Sequence, residues 1–116
     1  MLRLPEWSQR LDDAQSVDAV VALVRDFLSR WSTEELEQLP IEGRPGRMAS
    51  SIAISEYALW LMQAEMRAGV FAPLVLHTMA RFFAAASQRI AEITRFQQKL
   101  KDMAKEGPVP IAKQEP

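Results

Sequence analysis

Apolar residues recur along this chain at intervals of three and four, a spacing that predicts helices. The clearest instance is Val17, Val20, Val21, Val24, Phe27, Leu28 and Trp31, which share one face of a helix over about 17–31. Ser16 stands where an N-cap would, and Asp18 falls in the first turn, where the helix dipole favours an anion. A longer pattern covers about 73–105: Leu76, Met79, Phe83, Ala86, Ile90 and Ile93, resuming at Leu100 and Met103 after Gln97, where Phe96 compensates. At ~1.5 Å per residue this is a rod of roughly 50 Å, stopped by Gly107-Pro108. Its other face is polar, with His77, Arg81, Gln88, Glu92, Arg95 and Lys99.

Between these two, residues 51–68 are apolar almost all round. Only Glu56, Gln63 and Arg67 form a polar strip. Such a helix is expected to be buried on several sides. This one is therefore read as the central helix, with one side open to a partner. Ser50 precedes it as a cap and Gly69 follows it as a stop.

Two shorter helices are expected at about 5–14 and 33–38. Pro5 suits a first turn, and Ser32 with Glu35 has capping-box spacing. Glu34, Glu35 and Glu37 read as dipole partners of that short helix rather than as catalysts. Every Gly and Pro falls where a helix would start, stop or be absent, and no stretch alternates as a strand would. The fold class is therefore all-α: an antiparallel bundle of three principal helices (about 17–31, 51–68 and 73–105) with two short ones.

Composition narrows this picture. The chain has 116 residues, 48% hydrophobic and 25% charged, which suits one helical domain over 1–105. The tail at 106–116, "EGPVPIAKQEP", is expected to be disordered. Cysteine is absent, which excludes disulfides and thiolate chemistry. No secretory signal or bilayer-length apolar run is visible, so a soluble cytoplasmic protein is expected. Charge is uneven: residues 1–43 carry nine acids and four bases, residues 44–116 ten bases and six acids. Acidic and basic parts are expected to face each other within the fold or in a dimer.

Candidate chemistry is sparse. His77 is the only histidine and sits on a polar face one turn before Arg81, with no nucleophile or carboxylate partner identifiable by spacing. Glu65 is the one carboxylate on the apolar side of helix 51–68, close enough to its end to reach water or an arginine. Asp12 and Asp13 are adjacent and point different ways, so they form no acid/base pair. No catalytic set, metal site or cofactor motif emerges, and an enzyme is not expected. The loop "EGRPGRMASS" is the one ligand candidate: Arg44 and Arg47 with Ser50 and Ser51 could hold phosphate or a nucleotide at a helix N-terminus. It lacks the glycines and the Lys-Ser/Thr of a P-loop. The bases at Arg81, Arg89, Arg95, Lys99, Lys101 and Lys105 are interleaved with acids, and the sequence pI is near 5.8, so nucleic acid is not an expected partner.

The segments "LPIEGRPGRMASSIAISEYALWLMQAEMRAG" and "FAPLVLHTMARFFAAASQRIAEI" resemble small helical proteins of unknown function from Burkholderia-type proteobacteria. That resemblance implies no activity and no site residues. The long helix is also similar to phasins, which coat storage granules, although phasins are richer in Ala and Gln and lack the central apolar helix. Six methionines and the amphipathic rod point instead to contacts with other helices. The expected function is a non-catalytic interaction module that self-associates, as a homodimer, or docks a protein partner. Anion binding at 42–51 is the alternative, and a granule or membrane-surface coat is a third.

Overall fold

The computed structural model describes residues 4–39, 45–46 and 48–106. Five α-helices follow in order: α1 (Leu4–Asp13), α2 (Val17–Ser29), α3 (Thr33–Leu36), α4 (Ser51–Ala68) and α5 (Leu74–Glu106). A single 3-10 turn, Gly69–Phe71, joins α4 to α5. No strand occurs among the described residues. Arg44, Arg47 and residues 107–116 lie outside them, so two of the four anion candidates and all of the expected disordered tail except Glu106, which ends α5, are not described.

The boundaries follow local hydrogen-bond chemistry. Ser16, Ser32 and Ser50 each cap a helix by accepting from the amide three residues on, at 3.1 Å. The expected capping box is present: the Ser32 amide donates to the Glu35 carboxylate at 2.9 Å. That bond also shortens α2. The Ser32 amide is committed to α3, and the amides of Arg30 and Trp31 tighten onto the carbonyls three residues back. The helix read as reaching Trp31 therefore ends at Ser29. A similar tightening at Gln38 and Leu39 ends α3 at Leu36 rather than 38, just before Pro40. Gly69 closes α4 with φ +57°, a conformation that glycine adopts without strain.

The core is built on aromatic rings. Phe27 of α2 stacks on Phe82 of α5, with centroids 3.7 Å apart and planes 9° from parallel. Trp7 of α1 meets both rings edge-on. On the other side of α5, Tyr57 of α4 stands edge-on to Phe83 at 4.8 Å. Full burial of such a side chain contributes about 1.5–3 kcal/mol, so these rings dominate the packing. Around them pack Leu11, Val20, Val24, Ile54, Leu61 and Met79, all buried.

This arrangement corrects the role assigned to α4. The helix at the centre is α5, which touches α1, α2 and α4. Both α2 and α4 run antiparallel to it: Ala14 is tied to Arg89 while Phe27 meets Phe82, and Ser55 meets Ser87 while Glu65 meets His77. The reason is length. With 33 residues, α5 alone is long enough to serve α1, α2 and α4 together. α4 lies at the edge and fully buries only Ile54, Tyr57, Ala58 and Leu61. Ala53, Trp60, Ala64 and Ala68 are partly covered, while Ile52, Leu59, Met62 and Met66 are exposed.

Candidate interaction face

Ile52, Leu59, Met62 and Met66 of α4 are 69, 57, 47 and 80% exposed. Their spacing puts them on one stripe of the helix, turned away from Ile54, Tyr57 and Leu61. Ser55 falls on the same stripe, so the positions 52, 55, 59, 62 and 66 step by three and four as a heptad seam does. The stripe runs into the α4–α5 connection, where Val70, Phe71 and Leu74 are also exposed. Beside it, small residues leave a groove of about 380 Å³ between the two helices, with Ala58 on one wall and Ala84, Ser87 and Ala91 on the other. The Ser87 hydroxyl donates to that of Ser55 at 3.3 Å across the groove floor.

A second uncovered stripe lies on α5. The seam that buries Met79, Phe83, Ala86, Ile90 and Ile93 continues as Phe96, Leu100 and Met103, each about half exposed or more. The covered part of the seam ends at Ile93, and residues 94–105 are exposed. The expected compensation at Phe96 thus keeps the periodicity but finds no cover among the described residues.

The polar candidates fall out differently. His77 does have a carboxylate partner: its Nδ1 meets Oε2 of Glu65 across the α4–α5 hairpin. Arg81 Nε donates to the other ring nitrogen, Nε2, at 2.8 Å. A guanidinium can only donate, so Nε2 presents its lone pair and Nδ1 carries the proton that bonds Glu65. Both ring nitrogens are therefore engaged within the protein. A general base would need one of them directed at substrate. The three side chains tie the last turn of α4 to the first turns of α5, beside the exposed Met66 and Leu74.

The sequence reading missed this pair because Glu65 and His77 lie 12 residues apart on different helices. A signal was available. Glu65 faces the apolar side of α4, which is the side that meets α5, and a short connection fixes which residues come opposite. Glu65 reaches the histidine, where water or an arginine was expected.

Arg89 is one of the bases interleaved with acids along the rod. It is a brace: its Nη2 donates to the Ala14 carbonyl at 2.7 Å and pins the α1–α2 corner to α5. Its Nη1 also lies 3.8 Å from Glu92. In the acidic third, Asp26 lies between Arg10 at 3.6 Å and Arg30 at 3.4 Å, so both of its partners come from that third.

Of the anion candidates, Ser50 spends its hydroxyl oxygen on the Ala53 amide as the α4 cap, and Ser51 is the first residue of α4. Arg44 and Arg47 lie outside the described residues. Among the described residues no three His, Asp or Glu side chains converge as metal ligands would, and no helix is long and apolar enough to cross a membrane. The chain matches no protein-family model, no curated protein and no solved structure.

Proposed function

We propose that this protein is a non-catalytic helical interaction module whose working surface is the open side of α4. The observation that carries this reading is the exposed stripe Ile52, Leu59, Met62 and Met66, followed along the chain by the exposed Val70, Phe71 and Leu74. Contiguous apolar patches beyond a few hundred Å² are rare on monomeric proteins and mark contact surfaces. Methionine suits such a surface because its flexible thioether fits irregular partners. The engagement of both His77 nitrogens supports a bracing role for the polar cluster, holding the hairpin end in shape.

The test is comparative affinity capture from a native lysate with the wild type and with Leu59→Asp. Leu59 is 57% exposed, so the substitution places its charge on the surface and leaves the core intact. The reading expects bound protein, whether further copies of this chain or another protein, that Leu59→Asp releases. Identical capture by the two forms, or none by either, refutes it.

A further inference from the structure

The α4–α5 hairpin is covered on one side by α1 and α2 and open on the other. We infer that a second copy of this chain closes the open side, its α4 lying antiparallel to the first α4 about a two-fold axis at Leu59. This rests on the interaction reading and commits it to one occupant.

Three observations choose a second copy. The first is area. The four exposed apolar residues of the stripe, Ile52, Leu59, Met62 and Met66, present roughly 500 Å² per copy, which doubled reaches the ~1,000 Å² that a specific interface must clear. The second is self-complementarity, which a two-fold contact requires because the same patch must serve as both knob and hole. Reversed about Leu59, the seam Ile52–Ser55–Leu59–Met62–Met66 sets Ile52 against Met66 of the second copy. Met62 then falls within about one residue of Ser55 on the facing seam, a large side chain beside a small one, and Leu59 meets itself. The groove beside Ala58, Ala84 and Ala91 gives the methionines room to enter. The third is charge. The stripe is bordered by Glu56, Gln63 and Arg67. In the reversed register Glu56 comes level with Met62, Gln63 with Ser55 and Arg67 with Ser51 of the second copy, so no like charges oppose there. A lipid surface is less suited to this border, since surface-bound helices are flanked by Lys and Arg.

The chain contains no cysteine, so single-cysteine variants report contacts without background. Leu59→Cys, Ile52→Cys, Met66→Cys and, on the exposed end of α5, Met103→Cys are treated with a short bis-maleimide. The proposal expects rapid self-linking at position 59. It expects the mixture of Ile52→Cys with Met66→Cys to link several-fold faster than either alone, and Met103→Cys to link to itself no faster than chance collision. Faster linking of Ile52→Cys to itself would indicate a parallel pair and overturn the register. Equal linking at 59 and 103 would overturn the interface. Should linking fail while Leu59→Asp still releases a captured protein, self-pairing falls and the interaction reading stands. If both fail, the interaction reading falls as well.

Discussion

Tyr57 shows how burial sets the chemistry of one residue. Its ring is wedged against Phe83 and Trp60, and burial pushes its phenol well above the ordinary value of 10.0 because the phenolate would lose its hydration. The folded state therefore holds this proton where the unfolded chain has released it. Stability linked to Tyr57 is intact below the ordinary phenol range and declines as pH rises above it. The chain has one tyrosine, so the ultraviolet phenolate signal reads it alone. That signal is expected to rise together with unfolding in alkali. Ionisation near the ordinary value with the fold intact would show the ring to be hydrated. Glu35 is the opposite case: the Ser32 amide holds its carboxyl below the usual range, so what it adds is lost as acid protonates it. Other residue-scale features were legible in part. Capping by Ser16, Ser32 and Ser50 could be read from sequence because a cap is a local device spanning four residues. The bond between Glu65 and His77 could not, because it depends on how two helices register across a turn.

At the scale of elements, periodicity predicts how wide an apolar stripe is but not how much of it a neighbour covers. This explains the outcome for α4. Its bounds at 51 and 68 match the expectation because Ser50 and Gly69 are strong local signals. Its central place does not, because that role went to the helix with the greatest length. The same logic applies to α5, whose seam runs past its covered part. Residues 94–105 have the helical pattern but are exposed throughout, and a short helix in water is marginal. Amide hydrogen exchange is expected to divide α5. Protection between 79 and 93 should approach that of the whole fold, with exchange at 97–105 at least tenfold faster. Uniform protection along α5 would mean that this end is covered in solution.

For the whole molecule, extents of 69 × 25 × 23 Å describe a rod rather than a sphere. A rod of this size has more surface to cover than one core can bury, and this chain leaves the surplus on one side of the α4–α5 hairpin. Charge asymmetry along the sequence suggested two halves facing each other. The ion pairs seen at Asp26 and at Arg89–Glu92 are local ones, and the α1–α2 corner is tied to α5 by the bond from Arg89 to a backbone carbonyl. Function is least legible at this scale, since the same apolar residues that build a core also build a contact surface. Only the placement of α1 and α2 separates the two. The central claim, that the open side of the hairpin is closed by a second copy, is tested most directly by solution mass. Light scattering across a dilution series is expected to give twice the 13.1 kDa chain mass for the wild type at high concentration. Leu59→Asp, with unchanged helical circular dichroism, is expected to give 13.1 kDa throughout. A wild type that stays at 13.1 kDa at every concentration, or a Leu59→Asp variant that still doubles, would contradict it.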